Sequence, residues 1–314
     1  MTQALLSIFW ILIFPGFLFT ACFGLTATWV VRKVSAKVQY RVGPPFLQPF
    51  YDVMKLLGKE TLVPEQAQRA VFMGAPLLGF AGVLLLSTML WRITISQTTY
   101  IGDVIVAMYL LVLPSLALML GGSASASPHA AVGTSREMKM VMGYELPLVL
   151  ALIVVIIKTG GTLSLAEIAQ HTPVASISGF LAFAVALLCI QAKLGFVPFD
   201  LAEAETELGS GVLMEYSGAL LGVWKLMQAM MLVALPLFVV MVFLGGFGMN
   251  SLGAILAGIG KYLLVVVLLI LIKNTNPRLR IDQVMKFFWC YCGIALVAAV
   301  LLAIIGDCFG IAWL

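Results

Sequence analysis

The chain has 314 residues, of which 62% are hydrophobic and 10% charged, and its formal net charge is +4. A soluble domain is about half apolar and about a quarter charged, so this sequence has too little polar surface to cover a water-facing body. The composition excludes an ordinary soluble enzyme, gives no reason to expect a nucleic acid partner, and leaves an all-α, polytopic transmembrane bundle in the lipid bilayer, because helices satisfy their own backbone groups in lipid.

Eight spans are predicted, each near the ~20 residues that a bilayer requires: 4–31, 70–91, 102–121, 138–158, 177–198, 217–244, 252–273 and 287–306. They are expected to form one transmembrane domain over 1–314. The first has no basic n-region and is followed, not preceded, by Arg32 and Lys33, so it reads as a retained span instead of a signal peptide. After it, Gly43-Pro44-Pro45 breaks the chain. Residues 46–58 then carry Phe50, Val53, Met54 and Leu57 at helical spacing, which predicts an amphipathic helix lying at the membrane surface or packed on the bundle or a partner. Lys55, Lys59 and Glu60 sit beside it.

The fourth span contains Glu145 in Val141-Met142-Gly143-Tyr144-Glu145-Leu146-Pro147. An ionisable group there costs ~3 kcal/mol on insertion scales, so it is expected to face the bundle interior, as a relay group or as one half of a structural ion pair. Pro147 removes a backbone hydrogen bond and predicts a kink. Arg136, Glu137 and Lys139 precede Glu145 in the connection from the third span. Residues 159–176 read as a polar loop, and 245–251 as a flexible turn.

The strongest chemical signal follows the fifth span. Asp200, Glu203, Glu205, Glu207 and Glu215 fall within sixteen residues, with no Lys or Arg among them. If 200–208 is helical, Asp200, Glu203 and Glu207 share one face. Carboxylates that close cannot all ionise cheaply, and a group able to hold or release a proton near neutrality is what a proton relay needs. A solvated acidic loop and a site for a basic partner are the other readings. Lys225 in the sixth span is a weaker relay candidate, and Lys261 in the seventh reads as a snorkelling lysine. Asn276-Pro277-Arg278-Leu279-Arg280 forms a second basic group which, with Arg41, fits either a docking surface or the positive-inside bias.

Basic residues concentrate in alternate loops: 32–69, 136–139, Lys193, and 273–286. The positive-inside rule makes those loops cytoplasmic and places both termini outside a cell membrane. The five cysteines show no metal or cluster spacing. Cys290 and Cys292 point to different faces of a helix, and the thiols read as packing groups. His129 and His171 are expected in loops and too isolated for a haem or metal. No internal repeat of a transporter fold is evident. The chain carries proton-handling groups and no site for a redox centre, so any electron carrier belongs to other subunits.

Two motif groups resemble a known family. Gln39-Tyr40-Arg41-Val42-Gly43-Pro44-Pro45, with Gln48-Pro49 and Lys55-Leu56-Leu57-Gly58-Lys59-Glu60, resembles the first cytoplasmic loop of the NuoH family, the heel-type membrane subunits of respiratory complex I. Pro198 to Leu208, through Glu215-Tyr216-Ser217-Gly218, resembles that family's acidic loop. Ser135-Arg136-Glu137-Met138 and the Glu-Ala-Glu-Thr-Glu form look nearer to the energy-converting branch: the membrane-bound and Ech-type hydrogenases, the formate hydrogenlyase membrane subunit and the sulfane-sulfur reductase. In the quinone-reducing branch the stretch after the equivalent arginine is small and neutral, where this chain has Glu137 and Lys139.

The resemblance implies a heel subunit beneath hydrogenase-like large and small subunits and an iron–sulfur subunit, beside antiporter-like membrane subunits. The NiFe centre and iron–sulfur clusters would lie in those partners, with no cofactor or metal in this chain. The implied proton relay is Glu145, Glu203, Glu205, Glu207 and Glu215 with Asp200 at its mouth, supported by Arg136, Glu137, Lys139 and Lys225. The implied docking residues are Arg41, Lys55, Lys59, Glu60, Arg278 and Arg280. A quinone-site subunit of an NADH:quinone oxidoreductase and a stand-alone cation-coupled transporter remain the alternatives.

Overall fold

A computed structural model describes residues 9–96, 103–249, 251–311 and 313–314, apart from the side chains of Glu205 and Thr206. The described residues form helices joined by loops, in the order α1 (Phe17–Val38), α2 (Gln48–Leu57), α3 (Arg69–Ser96), α4 (Asp103–Ala124), α5 (Pro128–Lys158), α6 (Leu165–Ile168), α7 (Ile177–Lys193), α8 (Glu205–Leu208), α9 (Gly218–Phe243), α10 (Leu252–Thr275), α11 (Ile281–Lys286) and α12 (Gly293–Phe309). A π-helical turn, Phe287–Cys292, joins α11 to α12. Among the described residues, seven helical stretches are long and apolar enough to cross a membrane, and α7 is a shorter apolar helix. The polytopic bundle read from the sequence is therefore present.

Local chemistry sets the helix ends. The Ser176 hydroxyl accepts a hydrogen bond from Gly179 N–H at α7, and Ser251 does the same for Ala254 at α10, each satisfying a donor the first turn leaves orphaned. Pro128 opens α5 at a position where its missing N–H costs nothing. Gly310, left-handed, ends α12. The helix α9 is the axis of the bundle. Every residue from Ala229 to Phe243 is buried, the pattern of a helix surrounded on all sides, and it packs against α1, α2, α3, α7 and α10. The pairs α3–α4, α5–α7 and α5–α12 complete the packing around it.

Several boundaries differ from the sequence reading. Residues 4–8, within the predicted first span, and 102, within the third, lie outside the described residues. The fourth span begins at Pro128 instead of 138, so His129, Arg136, Glu137 and Lys139 are on α5 and not in a loop. Small residues at 129–135 hide a helix that packs closely on its neighbours. Pro147 lies inside an unbroken α5. The connection 159–176 holds α6 and a 3₁₀ turn, with Leu165 and Ile168 fully buried. Helix α2 packs on α1 and α9 through Val53, against Leu25 and Ala229, and leaves Tyr51, Met54 and Leu57 exposed.

Candidate functional site

Helix α7 spans only 17 residues, about 26 Å at 1.5 Å per residue, short of the ~30 Å hydrocarbon core. The chain therefore leaves the helix at Leu194 within the bundle. Irregular backbone in a bundle is tolerated where it is buried in protein or lines a cavity; Pro198, Phe199, Leu201 and Ala202 are buried, and Leu194, Phe196, Asp200 and Glu203 line a cavity. The Gln191 amide donates to the Val197 carbonyl at 2.8 Å. Leu279 N–H donates to the Pro198 carbonyl at 3.2 Å. The Phe199 ring sits 4.9 Å from Phe288 of the π turn. At the return of the loop, Gly211 has φ +51°, and a Cβ there would lie 1.9 Å from the Ala202 carbonyl oxygen; only glycine allows this approach.

The acidic stretch is not one helix. Only Glu205–Leu208 is helical, so Asp200, Glu203 and Glu207 do not share a face. Each turns to a different partner supplied from elsewhere in the chain. Asp200 accepts from Arg278 at 2.7 Å, Glu203 accepts from the Gln228 amide at 2.7 Å, and Glu207 accepts from Arg136 at 2.6 Å. The Arg136 hydrogen bond and charge hold the Glu207 carboxyl below the usual glutamate range, the opposite of the mutual repulsion expected from the sequence. Glu215 is half-buried in the turn before α9. The side chain of Glu205 lies outside the described residues.

Below the loop is a cavity of about 520 Å³ between α1, α2, α5, α9 and residues 194–203. Its apolar wall includes Leu25, Val31, Val53, Phe196 and Phe199. Its polar wall holds Arg32, Asp52, Glu137, Lys193, Asp200, Glu203, Lys225, Gln228 and Lys273. At the rim Arg32 bonds Asp52 at 3.0 Å, Lys225 donates to the Gln228 carbonyl oxygen at 3.2 Å, and the Lys273 ammonium lies over the Phe196 ring at 4.3 Å.

From the cavity a polar line runs into the bundle. Glu137 is buried on α5, with the Ser115 hydroxyl beside it. Ser115 is 3.1 Å from the Tyr144 hydroxyl. Beside Tyr144, Glu145 forms an ion pair with Lys193 of α7. The Lys193 side chain has no solvent exposure, while Glu145 retains 21%.

The structure thus brings Asp200, Glu203, Glu137 and Lys225 to one cavity, while Glu145 stands outside it, paired with Lys193 of the cavity wall. It does not bring Glu207, Glu215 or the exposed Lys139 into that cavity. Arg278 holds Asp200 instead of standing free for docking. Sequence reasoning placed Lys193 among loop charges and missed Ser115, Tyr144 and Gln228. Ser115 and Tyr144 carry no signal beyond being polar within apolar runs. Among the described residues no group of three His, Cys, Asp or Glu is placed to hold a metal.

The geometry belongs to a recognisable lineage. A profile described as NADH dehydrogenase matches residues 10–304. The NuoH-type subunit of the NADH-quinone oxidoreductase of Dehalococcoides mccartyi (strain CBDB1) is 36% identical over 273 residues, covering 83% of this chain and 76% of that protein. The chain belongs to the NuoH family of NADH dehydrogenase membrane subunits. Another member, from Syntrophotalea carbinolica, is 36% identical over 314 residues, covering 92% of this chain and 93% of the relative. Among solved structures, a chain of the membrane-bound sulfane sulfur reductase, an archaeal respiratory membrane complex, matches with a TM-score of 0.84 and 27% identity over 96% of this chain and 98% of that one. This NuoH-like protein is accordingly a multi-pass membrane subunit of a complex I-like membrane complex, as the motifs at 39–60 and 198–218 implied.

Proposed function

We propose that this chain is the heel subunit of a redox-driven ion pump, and that it passes the energy of electron transfer through internal carboxylates to antiporter-like neighbours. One observation carries the reading: the cavity lined by Glu203, Glu137 and Lys193 lies against a polar line of Ser115, Tyr144 and Glu145, the last paired with Lys193. Titratable groups inside a spanning bundle are expensive and are typically functional, and here they form a line instead of an isolated pair. The exposed Tyr40–Val42 loop with Lys55, Lys59, Glu60 and Arg280 fits a docking surface on a cytoplasmic face, with both termini outside. Its partners would be hydrogenase-like large and small subunits and an iron–sulfur subunit, which would hold the NiFe centre and clusters. Ferredoxin-linked hydrogen evolution or sulfur reduction, coupled to H+ or Na+ movement, fits Glu137 and the structural likeness to the sulfane sulfur reductase.

The test is Glu137→Gln and Glu203→Gln in the assembled complex, reconstituted in vesicles and driven by reduced methyl viologen with proton, polysulfide or a water-soluble quinone as acceptor. Electron turnover in detergent is expected to survive, while ions moved per electron fall about tenfold or more, the loss typical of a missing proton-transfer group. Both variants pumping normally would sink the relay. A second reading is supported by the cavity itself: its apolar wall and charged rim suit an amphiphilic quinone head, and the NuoH relatives are named for quinone reduction. Turnover with quinone alone, lost on Val53→Trp, would favour it.

A further inference from the structure

Lys193 has a place in the bundle that the relay just described does not explain. Its ammonium contacts the Glu145 carboxylate, lies 3.4 Å from the Leu111 carbonyl oxygen and sits 4.9 Å over the Tyr144 ring. It also lines the cavity that contains Glu137 and Glu203, whereas Glu145 does not. Glu137 and Glu145 are eight residues apart on α5, about 12 Å along the axis at 1.5 Å per residue. A proton passes directly only between groups about 2.6–3.2 Å apart, or through one water. The interval between the two glutamates is therefore occupied by Ser115, Tyr144 and the Lys193 stem. Lys193 contacts Glu145 and the ring of Tyr144 on α5, and it lines one cavity with Glu137 of α5, with Asp200 and Glu203 of the acidic loop, and with Arg32, Asp52, Lys225 and Lys273.

A buried ammonium is tolerated only when a carboxylate neutralises it, and lysine carries its charge on a flexible four-carbon stem. One cation here stands near two glutamates, Glu137 buried and Glu145 partly exposed. We propose that Lys193 is a positioning cation shared between Glu137 and Glu145, which pairs with Glu145 at rest and turns toward Glu137 when that carboxylate carries the charge. A change made in the cavity then reaches Glu145 as the loss of its counter-ion. The proposal rests on the relay reading above and supplies the element that links its two ends.

The experiment uses the assembled complex in vesicles, driven by reduced methyl viologen, with H+ and Na+ uptake measured per electron in each variant. Lys193→Met is expected to retain detergent turnover and to lose about tenfold in ions per electron. Lys193→Arg, which keeps the charge, is expected to recover most of that loss. Lys193→Met with Glu137→Gln is the deciding variant. If Lys193 links Glu137 to Glu145, the two losses are not additive, and the double variant pumps about as poorly as Glu137→Gln alone; a lysine that only props Glu145 adds its own independent loss. Additive losses, or normal pumping in Lys193→Met, overturn the proposal. If Lys193→Met fails to assemble, the same comparison is made with Lys193→Gln. Glu145→Gln pumping normally would instead overturn the relay reading itself, so the two failures are distinguishable.

Discussion

Glu207 and Glu145 each face one basic side chain, yet the two pairs have different physical weight. Glu207 is half-exposed beside Arg136, where salt screens the attraction and its contribution to stability is small. Its folded pKa lies below its unfolded value, so the pair's contribution is complete above the ordinary glutamate value and is lost as the pH falls through the depressed folded pKa. Thermal unfolding of the purified complex is therefore expected to show a small acid-side loss that high salt reduces and that Glu207→Gln removes; an unchanged acid limb in that variant would refute the assignment. Gly211 is a sharper case. Gly211→Ala must place a Cβ against the Ala202 carbonyl at a positive φ. It costs about 1–3 kcal/mol in backbone strain, with more for the clash, and is expected to unseat Glu203 and lower pumping without removing any charge. Glu145 and Glu203 were legible because acids stand out in apolar surroundings. Their partners were not: Arg278 lies 78 positions from Asp200 and Arg136 lies 71 from Glu207, and no local pattern encodes such pairings. Lys193 was misplaced because it falls where an apolar run meets a loop, and sequence alone does not say that the helix ends inside the bundle.

The elements behave by the same logic. Long apolar runs announced α3, α4, α9 and α10 to within a few residues, because a bilayer fixes both the length and the composition of a span. The sequence pattern failed where packing, not hydropathy, sets the structure: the first ten residues of α5, the early end of α7, the non-helical backbone at 198–204 and the π turn at Phe287–Cys292. A π turn is rare and often marks functional sites, and this one places Phe288 against both Phe199 and Tyr144. Between spans there is little hydrophobic driving force, so small residues that allow close backbone approach carry the association. Gly24 of α1 is one: a Cβ there would lie 2.5 Å from the Ala229 carbonyl oxygen of α9. Gly24→Leu is expected to force α1 from α9, with an overpacking cost of about 1–3 kcal/mol, lowering the unfolding temperature in detergent and widening the cavity wall formed by Leu25 and Ala229. An unchanged unfolding temperature would mean that α1 is not held to α9 by this contact.

At the scale of the whole molecule, the proposed relay and the proposed docking surface make separable predictions, because the first is within the bundle and the second is an exposed loop. Tyr40 and Val42 are 99% and 98% exposed, with Arg41 exposed between them, in a loop that joins α1 to α2. Two large apolar side chains held fully in the open beside a guanidinium match the aromatic and arginine content of protein interfaces better than a bare surface. Because these side chains bury nothing within the chain, replacing them should alter its own stability by no more than about 0.5 kcal/mol. Val42→Asp and Arg41→Glu are therefore expected to leave the subunit in the membrane with an unchanged unfolding temperature while the peripheral subunits dissociate on detergent extraction. The two variants should differ in salt dependence. Lost charge complementarity in Arg41→Glu weakens encounter most at low ionic strength, so added salt should lessen its defect. Val42→Asp places a charge in an apolar contact, and its defect should persist at every salt concentration. Peripheral subunits that stay bound in both variants would place the docking surface elsewhere on this end of the bundle.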